Sequence, residues 1–188
     1  MNRVPMILVA LLFLLCTCVS SQAKEGEWKK LNDEVMSLFQ AGKIDQAVVV
    51  AKKALQVAEK EGGTNNPHLS SSLNNLALLY TTQGQFKQAE PLCKRALAIR
   101  EKALGPNHPD VATSLNNLAG LYDSQKQYDK AEPLYKRSLA IKEKALGPNH
   151  PDLVQILDNL AALYKKSGKE KKAEPLEKRA ASIRAVKR

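Results

Sequence analysis

Aromatic side chains fill only 5% of this 188-residue chain, while 44% of positions are hydrophobic, so any core it builds must be aliphatic. Cysteine is equally sparse. Cys16 and Cys18 lie in an N-terminal apolar run, which leaves Cys93 alone in the body and allows no internal disulfide there. Cys93 sits between the apolar Leu92 and Ala96, so it reads as a small buried hydrophobe rather than a reactive thiol. Acidic residues are outnumbered, 19 against 29 basic ones, for a net charge of +10. That balance favours acidic partners or surfaces and says nothing about the fold. No Ser-His-Asp, paired-carboxylate or phosphate-loop arrangement is present. His68, His108 and His150 fall in separate loops, and one histidine per loop gives no closed ligand set, so neither a metal nor a cofactor is expected.

The N-terminus has the marks of a processed segment. Arg3 gives a positive start, "ILVALLFLLCTCV" runs from Ile7 to Val19, and Ser21 and Ala23 supply small residues for cleavage after Ala23. The run is too short to span a bilayer comfortably, so residues 1–23 are expected to be a secretory signal with no transmembrane segment left after cleavage. A lipoprotein anchor through Cys16 or Cys18 is the alternative, although large Leu15 and Thr17 make a poor lipobox. The expected location is secreted or periplasmic.

What the rest of the chain has is repetition. "ALGPNHPD" begins at Ala103 and again at Ala145, a period of 42 residues. "LNNLALLY" at Leu73 returns as "LNNLAGLY" at Leu115 and "LDNLAALY" at Leu157. A period of this length marks a repeat array. Within one unit, Leu115, Leu118, Ala119 and Tyr122 form one helical stripe and Ala131, Leu134, Tyr135 and Leu139 a second. Each unit is therefore two helices joined by a short turn, marked by Gly42, Gly84 and Gly168, with Lys126 at that place in the third unit. In "LGPNHPD" the Gly is expected to enter the left-handed conformation that closes a helix, and the Pro blocks continuation. Asn107 or His108 then caps the next helix, with Pro109 at its first position and Asp110 near its positive end. Pro91, Pro133 and Pro175 require the second helices to start near Lys87, Asp129 and Lys171, or to bend.

Spacing and residues together resemble tetratricopeptide repeats. The small residues Ala77, Ala119 and Ala161, the tyrosines Tyr80, Tyr122 and Tyr164, and Ala47, Ala89, Ala131 and Ala173 follow that family's signature order. The 42-residue unit, with "LNNLA", "AEPLYKR" and "NHPD", is similar to the repeats of kinesin light chains and their bacterial relatives. The resemblance implies an all-α, right-handed α-solenoid of about four units. These are a diverged first repeat at 24–65, then 66–107, 108–149 and 150–188, the last with a polar outer face.

It also implies a function. In such superhelices the first helix of each unit lines a concave groove, where Asn74, Asn116 and Asp158 would stand on the flank of the apolar stripe. If the helix phase shifts by one residue, Asn75, Asn117 and Asn159 take that place. Gly120 leaves room for a ligand backbone, Lys165 lies further along, and Arg100 and Lys142 would supply basic neighbours for an acidic peptide. The expected function is a non-catalytic scaffold that binds an extended, acidic segment of another protein. Self-assembly through convex or terminal faces is the alternative. The basic turn "KKSGKEKK" from Lys165 to Lys172 lacks an aromatic stacking platform, so nucleic acid is not expected as a partner.

Overall fold

The computed structural model describes residues 26–61 and 66–186, all helix and short turns. The signal segment assigned to residues 1–23, with Cys16 and Cys18, lies outside the described residues. The helices are α1 (residues 26–40), α2 (Ile44–Lys60), α3 (Pro67–Thr82), α4 (Phe86–Leu104), α5 (Pro109–Ser124), α6 (Tyr128–Leu146), α7 (Leu153–Lys166) and α8 (Glu170–Val186). No strand occurs among the described residues.

Each helix packs on its neighbours in the chain. In addition α3 lies close against α5 and α5 against α7, whereas the backbones of α2, α4 and α6 stand further apart and meet through side chains, as in Arg95 to Glu59 at 3.0 Å and Arg137 to Glu101 at 2.7 Å. Odd helices therefore form a tight inner layer and even helices a splayed outer one, the geometry of an α-solenoid. Alanines make the close crossings possible. Ala47, Ala77, Ala89, Ala119, Ala131, Ala161 and Ala173 are all essentially inaccessible, and leucines with Tyr122, Tyr135 and Tyr164 fill the space between helices. The core is aliphatic with a few tyrosines, as the composition demands.

The turns inside each helix pair follow one design. Gly42, Gly84 and Gly168 have φ of 71°, 72° and 73°, and Lys126 takes the same left-handed conformation at 59°. The next residue's N–H then reaches back to a carbonyl of the preceding helix, as in Lys43 to Leu38 (2.9 Å) and Gln127 to Tyr122 (2.8 Å).

The turns between pairs differ from expectation in one respect. Gly105 and Gly147 have positive φ but ψ of 158° and 163°, so they are extended mirror-image residues rather than left-handed helical ones. Pro106 and Pro148 explain this, because a residue before proline is driven away from compact conformations. His108 caps α5, its Nδ1 accepting from the Asp110 N–H at 3.2 Å, and His150 holds Asp152 at the same distance ahead of α7. Asn66 does the same for α3 through His68 N–H at 2.8 Å. Pro91, Pro133 and Pro175 lie in the second turn of α4, α6 and α8, whose first residues precede Lys87, Asp129 and Lys171 by one.

Trp28 stands where α1 meets α3. Its ring stacks on His68 at 4.0 Å, and its Nε1 donates to Ser72 Oγ at 2.8 Å. His68 Nδ1 in turn pairs with Glu61 at 2.8 Å. The diverged first repeat is thus fastened to the second by a specific contact as well as by burial.

Candidate functional site

The inner layer carries an amide at nearly every step. Asn75 Nδ2 donates to Asn32 Oδ1 at 2.7 Å, and Asn159 Nδ2 donates to Asn116 Oδ1 at 3.1 Å. Each rung joins the first asparagine of one repeat to the second asparagine of the next. The two rows offered as alternatives by the sequence are therefore the two halves of one ladder.

Between these rungs the pattern opens. Asn74 is 4% exposed and turns its Nδ2 to Ser114 Oγ at 3.1 Å, which leaves its Oδ1 buried with no partner among the described residues. Asn117, the counterpart that would close this rung, makes no side-chain hydrogen bond to a described residue and lines a cavity of the inner face.

Arg100 is spent inside the fold. Nε donates to Ser70 (3.1 Å), Nη2 to Ser71 (3.2 Å), and Nη1 to Ser114 (3.0 Å) and the Asp110 carbonyl (3.1 Å). Burial pulls its guanidinium pKa down, with Asp110 opposing. For Lys142, its equivalent one repeat later, the places of those serines are taken by Ala112, Thr113 and Ile156. Lys142 points its amine toward Asp152 at 3.5 Å.

Two cavities open on the inner layer. The first, about 610 Å³, is walled by Thr113, Asn116, Lys142, Asp152, Gln155 and Asp158, among others. Its charges are paired, Lys142 with Asp152 and Asp158 with Arg184 of α8. The second, about 390 Å³, is bounded by Leu78, Asn117, Gly120, Leu121, Asp123 and Tyr135. Asn116, Gln155 and Asn159 belong to both, so a band of neutral amides joins them. A Cβ at Gly120 would lie 3.5 Å from the Tyr135 hydroxyl. Glycine there opens the way to a phenol that is otherwise 2% exposed.

Of the other sequence-predicted residues, Lys165 is half-exposed, ion-paired with Glu177 at 2.6 Å, and in neither cavity. Asn74 also lines neither. Sequence reasoning missed Gln155, Tyr135 and the ladder partner Asn32. A signal for Asn32 existed, since it stands one period before Asn74. Cys93 is buried at the base of the second cavity, and burial pushes its thiol pKa up to about 12, so it is inert at neutral pH. Among the described residues no cluster of three or more metal-ligating side chains occurs, and no helix is long and apolar enough to cross a membrane.

Paired helices in two layers, with a polar inner groove and a 42-residue unit, define a helical-repeat protein of the kind that presents a concave surface. Comparison with known families makes this specific. The nephrocystin-3 TPR domain model matches residues 84–188, more than half of the chain, and a tetratricopeptide repeat model matches residues 31–99. The chain belongs to the tetratricopeptide repeat family. Among solved structures, BtubC (BKLC) from P. vanneervenii superimposes with a TM-score of 0.72 at 30% identity, over 85% of this chain and 63% of that one. A putative kinesin light chain from Podosopora anserina with nearly identical TPR-like repeats gives 0.72 at 26% identity, over 84% and 75%. A Rap protein complexed with competence and sporulation factor gives 0.74 at 20% identity, over 85% and 44%, and shares the fold alone. The repeats are thus kinesin-light-chain-like. No curated protein matches the chain.

Proposed function

We propose that this protein is a non-catalytic scaffold that holds an extended segment of another protein along the inner face of α3, α5 and α7. The observation that carries this reading is the amide band of Asn116, Asn117, Gln155 and Asn159 linking the two cavities. A carboxamide offers two donors and an acceptor, which matches the alternating N–H and C=O groups of an extended main chain. Gly120 adds room for a backbone to approach. The tetratricopeptide family membership supports protein–protein interaction as the general role, and solenoid curvature creates the extended concave surface it needs.

The segment is proposed to be acidic overall. The +10 net charge supports this, and Lys142 in the wall of the larger cavity supplies a local contact. Asp152 and Asp158 in the same wall limit that preference to the side of the cavity held by Lys142. The apolar run at Ile7–Val19 supports a secreted or periplasmic location.

A peptide-display selection on the full chain tests the reading, repeated with Asn117→Ala. Because Asn117 makes no side-chain bond to a described residue, the variant should fold normally. We expect selected peptides to bind it at least about tenfold more weakly, equivalent to about 1.4 kcal/mol. Selected peptides indifferent to Asn117→Ala and to Asn116→Ala would move the site off the inner face. Failure to enrich any peptide, with mass rising with concentration in sedimentation, would favour assembly through outer or terminal faces.

A further inference from the structure

The smaller cavity contains a carboxylate that the rest of the groove does not explain. At the place of Asp123 the neighbouring repeats have Thr81 and Lys165. Asp123 is largely buried, with its side chain 11% exposed, and Lys166 from α7 reaches its Oδ2 at 2.6 Å. Its Oδ1 is buried with no partner among the described residues. A buried carboxylate oxygen without a donor bears the full cost of its lost hydration. Such an oxygen has acceptor capacity to spare, since an ionised carboxylate takes about four hydrogen bonds.

Its surroundings select the missing donor. The Tyr135 hydroxyl stands in the same cavity and makes no side-chain hydrogen bond to a described residue. Burial, reinforced by the Asp123 charge, raises its pKa, so the phenol stays neutral. Leu78, 42% exposed, and Leu121 supply apolar wall, while Gly120 leaves the entrance without a side chain. A cavity with an apolar wall on one side, amides on the other, and a carboxylate and a neutral hydroxyl fits an alkyl stem with a cation at its tip.

We propose that this cavity is a subsite for one basic side chain of the bound segment, a lysine or arginine, with Asp123 and the Tyr135 oxygen accepting its N–H groups. The site depends on a segment lying in the groove as proposed above. Asp123 lines the cavity, so its carboxylate turns to the newcomer as the half-exposed Lys166 ammonium gives up part of its contact. Lys166 is half-exposed and so acts as a weak competitor for the same carboxylate. The ligand is then an acidic segment carrying one basic anchor, which a uniformly acidic peptide would lack.

The test uses peptides selected by display on the full chain, each paired with an analogue in which its basic residue is methionine. The wild-type chain should prefer the parent peptide at least tenfold, with Lys or Arg at one fixed position of the motif. Asp123→Asn should reduce that preference to twofold or less while the methionine analogue binds as before. Lys166→Met removes the competitor and should leave parent binding unchanged or tighter. If the Asp123–Lys166 pair served only the fold, both variants would act alike, and that result overturns the assignment. So does a selected motif with no fixed basic position, or a basic preference that survives Asp123→Asn; in both cases the groove reading stands if Asn117→Ala still weakens binding. Absence of any enrichment by the folded chain overturns both.

Discussion

At the residue scale, single backbone conformations decide where helices stop. Gly147 occupies a region that only glycine adopts readily, and nothing lies within 4 Å of a Cβ added there. Gly147→Ala should therefore cost about 1–3 kcal/mol through backbone strain alone, read as a lower midpoint in urea unfolding with unchanged slope. Lys126 is the converse case, a side-chain residue where the other repeats place glycine. Lys126→Gly removes the left-handed penalty but adds chain entropy, and a net gain of about 0.5–1 kcal/mol is expected in the same experiment. The punctuation motif was legible because its rules are local: Gly, Pro and a capping side chain act on their immediate neighbours. The asparagines were not, because two adjacent helical positions differ by about 100° and a rung uses one from each row. Only packing between repeats decides that Asn74 turns inward to Ser114 while Asn116 meets Asn159.

At the scale of the element, equivalent positions acquire different jobs from their surroundings. Arg100 and Lys142 match in sequence, yet three serines surround Arg100 and bind it, while Lys142 lacks them and stays at the cavity wall. That distinction was beyond a pairwise reading of "IREK" and "IKEK", since the serines come from α3 and α5. Arg100→Lys cannot reproduce four bonds from one planar group and should destabilise by about 1–2 kcal/mol in chemical unfolding. Glu132 shows the electrostatic version. The Lys136 ammonium, with Lys169 and the Tyr164 hydroxyl, holds its carboxyl down at about 2 against opposing burial. A folded pKa below the ordinary 4.5 means that this stabilisation is complete above the ordinary value and is lost as pH falls toward about 2. Unfolding free energy measured across that acid window should vary less steeply in Glu132→Gln than in the parent.

At the scale of the whole molecule, the fold was legible almost in full because periodicity encodes it: a two-helix unit that cannot bury its own apolar face must stack on the next. Stacking also makes the stability local. Helix α7 packs on α5, α6 and α8, whereas α2 packs on α3 and meets α4 through side chains such as Glu59 with Arg95. The protein should therefore behave as a chain of nearest-neighbour couplings rather than as one indivisible core. Leu157 is wholly buried and packs with Leu139, Leu153, Ile156, Ala180 and Ile183 around the last repeat. Leu157→Ala should cost about 2–5 kcal/mol there. In native-state hydrogen exchange that loss is expected in the amides of α7 and α8, with α2 and α3 changed by less than about 0.5 kcal/mol. A uniform loss across all helices would instead mean global cooperativity. The groove lies between these extremes, since α5 lines both cavities and touches both α3 and α7. A peptide held across that junction couples the two halves, so saturating ligand should spread the Leu157→Ala loss toward α3, and an unchanged exchange pattern would place the bound segment elsewhere.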